Sequence, residues 1–71
     1  MMASRAVSDW LASLPRDREF SIHQAYETLL KDHPKQAPTK ARASMAITKS
    51  GRFETWMDGR CRMFKFRGPK A

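Results

Sequence analysis

The pair Asp58-Gly59 stands between two short runs rich in aromatic, β-branched and long apolar residues, Phe53-Glu54-Thr55-Trp56-Met57 and Arg60-Cys61-Arg62-Met63-Phe64-Lys65-Phe66. No other feature constrains the fold as much, because a type I′ turn needs positive φ at both central residues and Asp-Gly supplies them. The C-terminal part is therefore predicted to be a two-stranded hairpin over about 53–66. With this pair as the turn, Met57 faces Arg60, Thr55 faces Arg62 and Phe53 faces Phe64 on one side, while Trp56 with Cys61 and Glu54 with Met63 share the other. Phe53, Phe64 and Phe66 are expected to point inward, leaving Trp56, Cys61 and Met63 as a second apolar patch.

Before Gly51 the period of the pattern is helical. Val7, Trp10, Leu11 and Leu14 fall at i, i+3, i+4 and i+7, and Pro15 stops the run, which predicts a helix over about 4–14. Arg16-Asp17-Arg18-Glu19-Phe20 is a polar connection with room for a very short strand. Ser21-Ile22-His23-Gln24 has the Ser-x-x-Gln form of a capping box, opening a second helix over about 22–32 whose face is Ile22, Ala25, Tyr26, Leu29 and Leu30. Pro34 ends it. Thr39 is an N-cap for a third helix over about 39–50, and Gly51 is its C-terminal cap. In that helix Ala43, Ala46, Ile47 and Ser50 cluster inward while Ala41, Met45 and Thr48 point out, flanked by Arg42 and Lys49. The expected core is Val7, Trp10, Leu11, Leu14, Ile22, Leu29, Ile47, Phe53 and Phe64.

Seventy-one residues allow one domain with one small core, here expected over 4–67 with flexible ends at 1–3 and 68–71. The formal net charge is +7. Residues 1–35 carry five basic and five acidic side chains, whereas 36–71 carry nine basic and two acidic ones, so the whole excess belongs to the second half. An asymmetry of this kind speaks to partners, and a polyanion is the first to consider.

Three helices followed by a basic hairpin resemble the winged helix-turn-helix family of DNA-binding domains. The stretch from Thr39 to Phe66 is similar to the recognition helix and wing of small bacterial and bacteriophage regulators, although the connection from His33 to Pro38 is longer than the tight turn of the simplest members. The resemblance implies an α+β fold and double-stranded DNA as partner, in transcriptional regulation or nucleoprotein assembly. The residues agree with that expectation on their own terms. A major groove about 12 Å wide admits one helix, and short side chains within a cationic rim let its backbone come close. Arg42 can fork onto guanine, Met45 or Ala41 can touch a thymine methyl, and Ser44 or Thr48 can reach bases or phosphates. Thr39 and Lys40 at the start of the helix and Lys49 near its end are placed for phosphates. Arg60 and Arg62 lie at and just after the turn of the wing, and Arg52, Lys65 and Arg67 extend the basic strip.

Other chemistries find little support. His23 and His33 have no cysteine near either and lack metal-ligand spacing, so no metal is expected. Ser21 is already used as a cap, no orienting acid accompanies His23, and neither a glycine-rich phosphate loop nor paired carboxylates occur, so neither enzyme activity nor a cofactor is expected. The single Cys61 excludes an internal disulfide, and no apolar run approaches a membrane span, which together suggest a cytoplasmic location, nucleoid-associated in a bacterium. Two rival readings remain open. Trp56, Cys61, Met63 and Trp10 can supply a protein contact or a homodimer face, and a basic strip suits structured RNA as well as DNA.

Overall fold

The computed structural model describes residues 5–68. The expected flexible segment 1–3, the helix start at Ser4 and residues 69–71 lie outside that range; Gly68 is the last described residue. The chain runs α1 (Arg5–Ser13), β1 (Phe20–Ser21), α2 (Ile22–Asp32), α3 (Lys40–Lys49), β2 (Phe53–Asp58) and β3 (Cys61–Phe66). It is a small α+β domain in which three helices accompany a three-stranded antiparallel sheet of order β1-β3-β2.

Local chemistry sets the element ends. The Ser21 hydroxyl accepts the Gln24 N–H at 3.2 Å while the Gln24 side chain accepts the Ser21 N–H at 3.0 Å, so two orphan donors at the start of α2 are satisfied together. Thr39 caps α3 by accepting the Arg42 N–H at 3.3 Å. Gly51, at φ 73°, closes α3 by donating its N–H to the Thr48 carbonyl at 3.3 Å, a left-handed conformation that favours glycine.

The core forms where α2 and α3 meet the sheet. Phe64 is completely buried, stacked against Phe20 with ring centroids 5.7 Å apart, and Phe53 meets Phe20 edge-on at 5.7 Å. Leu29, Ala43 and Ile47 are also fully buried, and the short Ala43 lets α3 approach α2 closely. Trp10 joins α1 to this core: it is 1% exposed, and its indole N–H donates to the Ala25 carbonyl at 2.9 Å and to Thr28 Oγ1 at 3.1 Å. A buried indole keeps its polar atom satisfied in this way. Trp10 is therefore core and has no surface to offer a partner. Leu11 is only partly buried and Leu30 is 43% exposed, because each lies at the edge of its helix's apolar face and not at its centre.

The hairpin forms with a different register from the one expected. Its pairs are Asp58↔Cys61, Met57↔Arg62, Trp56↔Met63, Thr55↔Phe64, Glu54↔Lys65 and Phe53↔Phe66. Gly59 has φ 65° and no other residue near the turn has positive φ, so the two turn residues are Gly59 and Arg60 and Asp58 closes the strand. Glycine at the first central position is the type II′ requirement, not that of type I′. The pairing moves by two residues, an even slip, and every side chain keeps its face. Thr55, not another aromatic residue, now stands opposite Phe64.

This core predicts a sharp contrast between two apolar truncations. Phe64→Ala is expected to cost about 3–5 kcal/mol, enough to unfold most of a domain this small, while Leu30→Ala on the exposed rim should cost less than about 1 kcal/mol. Urea titrations of both variants check this.

Candidate nucleic-acid interface

The exposed side of α3 is built by what its other side buries. Ala43 and Ile47 point into the core, and at about 100° per residue this turns Ala41, Arg42, Met45, Thr48 and Lys49 to the surface, where all five are exposed. Met45 is 54% exposed. Ser44 is half-buried, and its carbonyl accepts the Thr48 hydroxyl at 3.1 Å, which leaves the Thr48 oxygen its lone pairs. Thr39 uses its oxygen as the cap and retains a hydroxyl proton to donate. Among the described residues, the Arg42 guanidinium and the Lys49 ammonium make no hydrogen bond.

Lys40, the first residue of α3, is held from α2. Its ammonium lies 2.8 Å from His23 Nδ1 and 5.8 Å from the centre of the Tyr26 ring. Tyr26 in turn donates its hydroxyl to the Pro38 carbonyl at 2.6 Å, fastening the α2–α3 connection just before Thr39. Neither His23 nor Tyr26 belongs to the site residues read from the sequence. Their separation of three residues on α2, which puts both on one face, is the signal that was there to be used.

The hairpin divides the remaining cations between its two faces. Strand alternation places Phe53, Thr55 and Met57 of β2 with Arg62, Phe64 and Phe66 of β3 on the helix side. Arg62 extends there beside Met57, which is 52% exposed, and its guanidinium donates to Thr55 Oγ1 at 3.0 Å. Arg60 is exposed in the turn itself. Lys65 sits on the opposite face with Glu54, Trp56 and Met63. Arg67 donates its N–H to the Arg52 carbonyl at 2.9 Å, extending the ladder at the base of the hairpin. The Arg52 side chain borders a shallow cleft with Ser8, Leu11 and Ser50. So Lys40, Arg42, Lys49 and Arg62 belong to the helix side and Arg60 to the tip, while Lys65 stands on the far face and Arg52 and Arg67 at the base.

Trp56, Cys61 and Met63 lie together on the far face, all half-buried. Among the described residues no three His, Cys, Asp or Glu side chains gather closely enough to hold a metal ion, and no helix is long and apolar enough to cross a membrane. Comparisons with protein-family models, curated proteins and solved structures find no significant match to this chain.

The Tyr26 hydroxyl offers a direct test of how α3 is seated. Tyr26→Phe removes only the bond to the Pro38 carbonyl and is expected to cost about 0.5–1.5 kcal/mol. Backbone amide shifts in Tyr26→Phe should change at Thr39–Ala41, next to the lost Pro38 carbonyl bond, and stay constant in the hairpin, as read by two-dimensional NMR.

Proposed function

We propose that this chain is a winged helix-turn-helix domain that binds double-stranded DNA, with α3 in the major groove and the hairpin wing on the backbone or minor groove. The observation that carries the reading is the exposed face of α3: Ala41, Met45 and Thr48 in the middle, with Arg42 and Lys49 together along one edge and, among the described residues, no hydrogen bond occupying either cation. Short and apolar side chains let a helix sink into the groove, and free cations at the margin meet phosphates or guanine. The wing reading is supported by the short strand β1, which ties the hairpin to the helices, and by Arg60 and Arg62 at its distal end.

The proposed roles follow position. Arg42, in the first turn of α3, reads a base, whereas Lys49, two turns later, clamps a phosphate as the helix leaves the groove. Lys40, Arg60 and Arg62 position the domain without discriminating sequence. A regulatory or nucleoprotein-assembly role belongs to the same proposal. The alternative of a protein partner draws on the far face with Trp56, Cys61 and Met63, which stands clear of α3.

Two measurements test this. If about four to six phosphates are contacted, log affinity for duplex DNA should fall against log salt with a slope of roughly −4 to −5; a flat response would favour the protein partner, and equal or tighter binding of folded RNA would displace DNA. Arg42→Ala should lose about 1–3 kcal/mol on a preferred duplex and far less on a scrambled one. Lys49→Ala should lose a smaller and equal amount on both, and a uniform loss for Arg42→Ala would reduce that residue to a phosphate contact.

A further inference from the structure

An ammonium has only donors, so the 2.8 Å contact between Lys40 Nζ and His23 Nδ1 requires that Nδ1 present its lone pair. In this contact Nδ1 can only accept, and it is turned toward the first residue of the proposed recognition helix. Protonating it in the free state removes the bond and sets two cations side by side. An anion seated between them reverses the sign of this cost: the imidazolium becomes a second donor beside the ammonium, and both can reach one phosphate.

We infer that His23, from α2, forms with Lys40, from α3, a two-residue clamp for a backbone phosphate, and that filling the clamp takes up a proton at His23 Nδ1. The inference rests on the duplex-binding reading and assigns it a contact from a second helix and a dependence on pH. The other charged groups around His23 are compatible with proton uptake. Glu27 stands four residues on along α2, one turn away, and brings no positive charge to compete with an imidazolium. Tyr26, at three residues, has its hydroxyl committed to Pro38. β1 brings no titratable side chain, and in β3, reached through Ser21↔Met63, Lys65 is on the far face and Arg62 is bonded to Thr55. Both histidine and lysine side chains are exposed, so a phosphate can approach without rearranging the core.

Linkage makes the effect reciprocal: if DNA favours the protonated imidazole, protonation favours DNA by the same factor. The test is fluorescence anisotropy of one labelled duplex at pH 6 and pH 8 and constant ionic strength, with wild type, His23→Gln and His33→Gln. Wild type and His33→Gln should both bind about five- to tenfold more tightly at the lower pH, within the range where imidazoles gain charge. In His23→Gln this ratio should fall close to one, whatever its affinity at pH 8, because glutamine can accept from Lys40 but cannot gain a proton. Calorimetry of the same binding in two buffers of different ionisation enthalpy should show proton uptake by wild type, greatly reduced in His23→Gln. An unchanged ratio in His23→Gln, or wild-type binding that ignores pH, overturns the clamp and leaves the duplex reading standing; absence of duplex binding at both pH values overturns both.

Discussion

The two-residue pairing of β1 with β3 is the constraint on which the rest of this structure depends. Phe20↔Phe64 is the point at which the hairpin, a unit that is marginal in water by itself, is fixed to the helical part of the chain. Phe20 fills the space beside Phe64 and under Phe53, and Phe53 meets Phe66 edge-on at 5.4 Å, so four aromatic rings from three strands form one cluster. Arg16 covers the outer side of that cluster, its guanidinium 5.3 Å from the centre of Phe66. Because Ser21, next to Phe20, is also the N-cap of α2, the strand and the helix start are set by one dipeptide. The orientation of the hairpin and the direction of α2 are therefore a single structural decision.

The helices were legible in the sequence because their signals are local. Pro15, the Ser21-Gln24 box, Thr39 and Gly51 act through bonds spanning at most a few residues, and the elements end within one residue of where those signals put them within the described range. The hairpin was legible as a hairpin but not in its register. Asp58-Gly59 satisfies type I′ with both residues in the turn, and Gly59-Arg60 satisfies type II′ with glycine first. What separates them is non-local: only the second seats Thr55 opposite Phe64 and Phe53 opposite Phe66, in a cluster where Phe20, from outside the hairpin, meets both Phe64 and Phe53. The faces survived because the two registers differ by an even number. Trp56 and Met63 fall on the same side in either register, but only the observed one pairs them with each other.

The candidate interface was legible to a similar depth. Amphipathic spacing alone puts Ala41, Met45 and Thr48 outside α3, so the character of that face follows from α3's own residues. The partner of Lys40 does not, since His23 lies seventeen residues earlier and reaches it only when α2 and α3 cross closely. The basic strip of the hairpin was read as one feature, yet strand alternation splits Arg62 from Lys65, which no count of charges along the chain can reveal.

The start of α3 is held by the Thr39 cap and by Tyr26 on the Pro38 carbonyl, the hairpin by its ladder and by Arg62 on Thr55, and Lys40 by the His23 imidazole nitrogen and a ring face. None of these partners is a carboxylate. Carboxylates could have fixed the same side chains as firmly, but each would have cancelled a positive charge. Anchors without a carboxylate order the cations and leave the positive field of the second half of the chain uncancelled. Self-repulsion among those cations then opposes the fold modestly, and it is offset where the net charge is zero: in the first half, which supplies Trp10, Phe20 and Leu29 to the core while keeping its own acidic and basic residues in balance.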